Sequence, residues 1–252
     1  MITLKNSKEI VSMQKSGAIT AAAMMAAKAV IRPGVTTKQI DRAVHAAILA
    51  HGAVPSFLGY AGFPGSACVS VNDEVIHGIP GERVIHEGDL VKIDVGALFE
   101  GFHGDCAATF AVGEVSKEAR QLMDVTRQSF YEGIKFARVG YRISDISHAV
   151  QAYAESFGYG VVRQYVGHGV GRKLHEDPEV PNFGKPGHGP RLLPGMTIAV
   201  EPMINAGSFD VKVMPDNWTV KTVDHSLSAH YEHSILITTG DPILLTKWDE
   251  EL

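Results

Sequence analysis

Apolar runs broken by capping and turn residues divide the chain into elements. Asn6 or Ser7 offers a helix cap, with Glu9 placed for a capping box on Asn6. That helix runs through "MQKSGAITAAAMMAAKAVI" and stops at Pro33-Gly34. A second helix is expected in "TTKQIDRAVHAAILAHG", ended by Gly52. Residues 55–66, rich in Pro, Gly and aromatics, read as a loop. Short strands are expected at 67–71, 90–98 and 102–110, then helices at about 117–136 and 144–157. From about residue 160 the chain reads as strands and loops with many glycines.

This order contains a faint internal repeat. Gly34, Ile40, Ala43, Val44, Ala46 and Gly52 match Gly140, Ile146, Ala149, Val150, Ala152 and Gly158 at one offset. At nearly the same offset "EGDLVKID", ending at Asp94, matches "PGMTIAVE", ending at Glu201, and a glycine precedes each acid by six residues. Two similar halves that each deliver a carboxylate to one place explain the match; chance likeness of two helix-then-strand segments is the alternative.

Within the strand stretch "KIDVGALFEGFHGDCAATF", Asp94 and Asp105 lie in apolar, β-branched surroundings, where aspartate is depleted. If the two strands form a hairpin turning near Glu100-Gly101, directly opposed residues differ by an odd number. Asp94 and Asp105 differ by eleven, so they can share a face. Two buried carboxylates repel, and each loses hydration; a divalent cation reverses both penalties. The plainer reading is one aspartate in a turn and one in a salt bridge. Three further residues argue against it: His168 between two glycines, Glu201 at the end of an apolar strand before Pro202, and Glu232 at the mouth of another strand. Each alone has an ordinary structural explanation. Together, four carboxylates and an imidazole suit two divalent ions such as Mn, Fe, Co or Zn. Paired metals usually mean hydrolysis, with a glutamate as proton acceptor.

Composition narrows the class. The chain has 252 residues, 45% hydrophobic and 20% charged, the profile of a globular protein with room for a substantial core. A net charge of -5 argues against nucleic-acid binding. Two cysteines, Cys68 and Cys106, make no disulfide framework and fit a reducing compartment. The N-terminal stretch lacks a secretory apolar core, and no apolar run reaches membrane-spanning length. A bacterial-type cytoplasm is the expectation. The run "GHGVG" fails the spacing of a dinucleotide-binding loop.

The motifs "NDEVIHGIPG", "KIDVGALFEGFHGDCAATF", "GHGVGRKLHEDPEVPNFG", "GMTIAVEPMI" and "NWTVKTVDHSLSAHYEHSI" together resemble the type I methionine aminopeptidases, of the M24 or pita-bread metallopeptidase family. The resemblance runs over nearly the whole chain. It implies an α+β pita-bread fold, a pseudo-twofold pair of helix-and-strand halves around a curved antiparallel sheet, as one catalytic domain over 1–252. It places the family's five ligands for two divalent ions (Co, Mn, Fe, Zn or Ni) on Asp94, Asp105, His168, Glu201 and Glu232. It makes Glu201 the proton acceptor and gives His77 and His175 contacts to the scissile peptide. A sodium or potassium site is implied near the backbone of Asn72 and Ser228. Tyr60, Phe63, Cys68, Leu174 and Trp218 match the pocket for the methionine side chain. Here the chain departs from the common pattern: Phe57 stands where many members have cysteine, Ala61 where some have histidine, Phe63 where tyrosine is frequent, and Leu174 where phenylalanine is common. Selectivity against leucine or norleucine depends on these, and a methylene is worth only about 1–3 kcal/mol.

The implied activity is removal of initiator methionine from nascent chains whose second residue is small, by a monomer acting at the ribosome. Two alternatives stand beside it. An X-Pro aminopeptidase or prolidase would use the same five ligands, though such enzymes usually carry an extra N-terminal domain. A catalytically dead binding module would have lost ligands.

Overall fold

The computed structural model describes residues 1–248; of the expected 1–252 domain, residues 249–252 lie outside the described residues. Helices α1 (Ser7–Val30) and α2 (Thr37–Ala50) come first, then strands β1 (Ala67–Val71), β2 (Glu74–Ile76), β3 (Leu90–Phe99) and β4 (Phe102–Ala111). Helices α3 (Lys117–Ile134) and α4 (Ile143–Glu155) follow. The rest supplies β5 (Gly167–Gly169), β6 (Glu176–Val180), β7 (Thr197–Val200), β8 (Met203–Asn205), β9 (Ser228–His230) and β10 (Glu232–Leu236).

Local chemistry sets the helix starts. Asn6 caps α1 and Glu9 completes the box, as expected; Thr36 and Gln39 do the same for α2, and Ser116 caps α3. Helix α4 begins one residue earlier than expected and ends two earlier, and α3 ends two earlier. Its last residues turn off as single bends that periodicity does not reveal. The loop over 55–66 holds a short 3₁₀ turn at Tyr60–Gly62, and Val54–Pro55 pairs with Ala97 and Leu98.

Among the described residues the main sheet has nine strands, in the order Val54–Pro55, β3, β4, β10, β7, β5, β6. β1 pairs with β3, and Ile243–Leu244 pairs with β10. Every recorded pairing is antiparallel. β10 is buried end to end and β3 and β4 over most of their length, with α1 packed across both strands of the hairpin. One large apolar cluster joins α1, α2, β1, β3, β4 and β10, with Met24, Ile40, Ile48, Ile93 and Ile235 fully buried.

The internal repeat is structural. Thr36 bridges Val84, and Arg142 bridges Arg191, at matching offsets in the two halves. Gly88 and Gly195, six residues before Asp94 and Glu201, hold the same left-handed turn at φ 87° and 90°. Each half therefore brings a helix, a tight turn and a strand to the centre of one sheet.

Candidate metal centre and adjoining pocket

The β3–β4 hairpin closes on Glu100 and Gly101, both left-handed at φ 49° and 79°, the turn whose twist matches paired strands. Its register sets Asp94 opposite Ala107 and Asp105 opposite Gly96. The two aspartates thus share a face, two positions apart. His168 is the middle residue of β5. A Cβ on Gly167 would lie 2.3 Å from the Ala199 carbonyl oxygen, and one on Gly169 2.2 Å from that of Asp177, so only glycine lets this strand slip between its neighbours. Glu201 follows β7 directly, and Glu232 opens β10.

These five side chains meet in one cavity of about 190 Å³. Ligand atoms of Asp105, His168 and Glu232 lie within 4.8 Å of one another. The Nε2 of His168 is 3.7 Å from Asp105 Oδ2 and 3.6 Å from Glu201 Oε1. Three carboxylate oxygens, Asp94 Oδ1, Asp105 Oδ1 and Glu232 Oε1, are buried with no hydrogen-bond partner among the described residues. Burial pushes Asp94 up to about 7. Burial, then the charges of neighbouring acids, pushes Asp105, Glu201 and Glu232 well above the ordinary carboxylate range. Burial pulls His168 down to about 4, His175 adding to it. An uncompensated cluster of this kind is costly, and a divalent cation relieves every term: it offsets the acids' repulsion, uses their orphaned oxygens and accepts a neutral imidazole. The donor set therefore fits a divalent metal.

Beside the acids lies a small separate cluster of Phe57, Phe63, Cys68 and Leu174, with Ile79 and Trp218 packed on it. Phe63 meets Trp218 edge-on at 5.0 Å between ring centroids. Cys68 stands opposite Asp94 in the β1–β3 ladder, so the pocket floor and the acids are cross-strand neighbours. Burial raises the Cys68 thiol, which stays protonated and apolar in character. Tyr60 forms the exposed rim and bonds His175 Nδ1 through its hydroxyl at 2.7 Å.

His77 leaves β2 in the left-handed region, at φ 58°. The strained residue is held because Gly78 donates to Ser70 Oγ at 3.0 Å and accepts from Val69 N–H at 2.9 Å. Burial, with His175 nearby, pulls His77 down to about 4, so it is a neutral imidazole at neutral pH. His175 packs against His168 in a tilted contact, 4.2 Å between ring centroids. All twelve residues singled out from the sequence for metal, proton transfer or pocket line this one cavity, with Phe57 and Ala61.

The model of metallopeptidase family M24 matches residues 11–239. The chain belongs to that family. As an M24 member it is 51% identical to the methionine aminopeptidase of Clostridium acetobutylicum over 247 residues, 98% of this chain and 99% of that one. It superposes on the methionine aminopeptidase of Thermotoga maritima with a TM-score of 0.97 at 45% identity, covering 98% of this chain and 100% of that one. The prolidase of Pyrococcus furiosus shares the fold alone: TM-score 0.81, 24% identity, with 66% of that chain covered. The M24 pita-bread architecture expected from the motifs is the one observed.

One expectation is corrected. The backbone carbonyls of Asn72 and Ser228, expected to face a sodium or potassium ion, accept hydrogen bonds from Lys92 Nζ at 2.7 and 3.0 Å. The lysine is 2% exposed. Two residues beside the site escaped the sequence reading. Lys92 is one; its signal is a lone cation inside the apolar strand run "LVKIDVG". His230 is the other: it is buried, its Nε2 lies 3.7 Å from Glu201 Oε2, and neither ring nitrogen has a hydrogen-bond partner.

Proposed function

We propose that this chain is a methionine aminopeptidase that removes the N-terminal methionine of polypeptides whose second residue is small, with two divalent ions held by Asp94, Asp105, His168, Glu201 and Glu232. The observation that carries this reading is the convergence of four carboxylates, two buried and two half-buried, and a neutral histidine on an apolar, aromatic pocket of single-side-chain size. Two divalent ions match the four acidic charges, and their chemistry is to polarise the scissile carbonyl and activate water.

The chain's own residues supply the rest. Phe63, Cys68, Leu174 and Trp218, with Tyr60 at the rim, take up a flexible thioether side chain. This leaves the peptide's amino end beside the acids. Glu201 takes the proton from the attacking water and passes it to the leaving amine. His77, a neutral donor at neutral pH, and His175 hydrogen-bond the peptide carbonyl oxygen as it gains charge. The remaining peptide runs toward a wider groove of about 670 Å³ that shares His168 and His175 with the site. The whole chain acts as one catalytic domain, as a cytoplasmic monomer meeting nascent chains at the ribosome. An X-Pro peptidase would share the acids, but the enclosed apolar pocket favours methionine.

The test is release of methionine from Met-Ala-Ser by chelator-stripped protein to which Co, Mn or Fe is returned, with Leu-Ala-Ser and Ala-Pro-Ser as controls. Metal-dependent release from the methionine peptide alone is expected. Cleavage of a control instead overturns the substrate, and no cleavage at all overturns the enzyme.

A further inference from the structure

Lys92 is among the largest fully buried side chains of the described residues. A lysine so placed normally finds a carboxylate. Here Nζ donates to two backbone carbonyls, Asn72 O at 2.7 Å and Ser228 O at 3.0 Å. Carbonyl oxygens from separate segments converging on one point are how proteins hold alkali cations. An amine in either protonation state has at least two N–H groups for these two acceptors, so the fit does not depend on its charge.

The two carbonyls are built, not incidental. Asn72 is held left-handed at φ 56°. Its side chain accepts from Leu90 N–H at 2.9 Å and donates to Asp89 Oδ1 at 2.8 Å, which fixes the carbonyl's direction. Asn72 O also accepts from Ser228 N–H at 3.1 Å, so the two segments already touch where the amine ties them. Each segment leads to the site. Asn72 precedes β2, which ends at Ile76 just before His77; Ser228 opens β9, which leads to Glu232; and Lys92 lies two residues before Asp94 on the same face of β3.

We propose that Lys92 is a tethered substitute for a monovalent cation: its amine, seated between the Asn72 and Ser228 carbonyls, locks the segments carrying His77, Asp94 and Glu232 into one arrangement, so that this chain needs no alkali ion there. Lys92 is a positioning residue, since it touches neither substrate nor the metal-ligating atoms. Lys92→Ala leaves the carbonyl pair facing a space that a small ion can fill. Lys92→Met fills the space with an apolar chain of similar length and leaves the carbonyls unpaired.

The experiment measures the unfolding midpoint and Mn affinity by calorimetry of wild type, Lys92→Ala and Lys92→Met. The salts are choline, sodium, potassium and ammonium chloride at equal ionic strength. Wild type is expected to be indifferent to the cation. Lys92→Ala is expected to melt roughly 5–10 °C lower in choline and to recover at least half of that in one of the small cations. Its Mn affinity is expected to rise in step. Lys92→Met is expected to be rescued by none. A merely space-filling lysine predicts an alanine variant blind to the cation, and that result overturns the proposal. So does a wild type stabilised by sodium or potassium over choline, a comparison that decides the matter even if no variant folds. The Mn readout alone rests on the proposed metal centre. Failed thermal rescue therefore sinks this proposal without touching the aminopeptidase reading, and absent peptidase activity leaves the thermal rescue standing.

Discussion

Asp94 carries two burdens at once. Burial pushes it up to about 7, and its Oδ1 has no partner. Replacing it by asparagine keeps the shape and removes an ionisable group from a crowded acidic cluster. The metal-free Asp94→Asn protein is therefore expected to melt at the wild-type temperature or above it. Its divalent-metal affinity and its methionine release should both fall by roughly 10²-fold or more. Titration calorimetry and peptide turnover check the two halves, and a metal-replete, fully active variant would remove Asp94 from the ligand set. His77 offers a complementary case. It holds a left-handed backbone and a neutral ring, so its removal should spare metal binding. His77→Ala is expected to lose roughly 10²–10³ in kcat with metal affinity unchanged, which stopped assays and calorimetry on the same preparation can read.

Among the elements, α1 stands out for how closely its buried side packs on the sheet. Most of its buried residues are small: Ser16, Gly17, Thr20, Ala21, Ala23 and Ala27, beside Met13, Ile19 and Met24. Small residues let the helix lie close on the hairpin that carries both aspartates. A Cβ on Gly104 of β4 would lie 3.0 Å from Gly17 Cα, and Thr20 Oγ1 accepts from Ala97 N–H of β3 at 3.2 Å. The same glycine is as tight against the C-terminal segment, since a Cβ on Gly17 would lie 2.2 Å from the Leu245 carbonyl oxygen. Backbone must move to admit one methyl group. Gly17→Ala is expected to cost about 2–3 kcal/mol despite alanine's better helix propensity, measured as a lower unfolding midpoint in urea. A neutral or stabilising result would mean the C-terminal segment is not packed there in solution.

At the scale of the molecule, the acid cluster ties stability to pH and metal. Unfolded carboxylates ionise near 3.8 to 4.5, whereas burial pushes Asp94 up to about 7 and holds Asp105, Glu201 and Glu232 well above the ordinary carboxylate range. Folded metal-free protein then holds more protons than the unfolded chain, so stability falls as pH rises through this range. Histidines buried neutral act the other way, but only below their ordinary value of 6.5, where His77 and His168 are pulled to about 4. Lys92, pulled down by burial to about 7, also opposes the acids, as one group against four. Above pH 6.5 the carboxylates therefore dominate. In excess chelator the unfolding midpoint is expected to drop as pH rises from about 6.5 through about 7, the value to which Asp94 is pushed, and with saturating Mn to stay level. Metal binding near neutral pH should release protons, readable by calorimetry in buffers of different ionisation enthalpy. A chelated protein equally stable across that range would mean the acids are not buried as a cluster.

Much of this was written into local sequence. Asn6 and Glu9, Thr36 and Gln39, and the Glu100-Gly101 turn act within a few residues, so capping and hairpin closure followed from neighbours alone. The hairpin's parity then put Asp94 and Asp105 on one face, and the repeat paired Gly88 with Gly195 and Asp94 with Glu201, because duplicated backbone turns leave matching glycines. What tertiary structure alone decided is which distant segments meet. The placing of β10 between β4 and β7 brings Glu232 to the aspartates, although 127 positions separate it from Asp105. The same holds for Lys92: as sequence it is a cation oddly set in an apolar strand. Only the fold, by bringing the Asn72 and Ser228 carbonyls to one point, gives that cation a partner, because backbone acceptors leave no trace in side-chain identity.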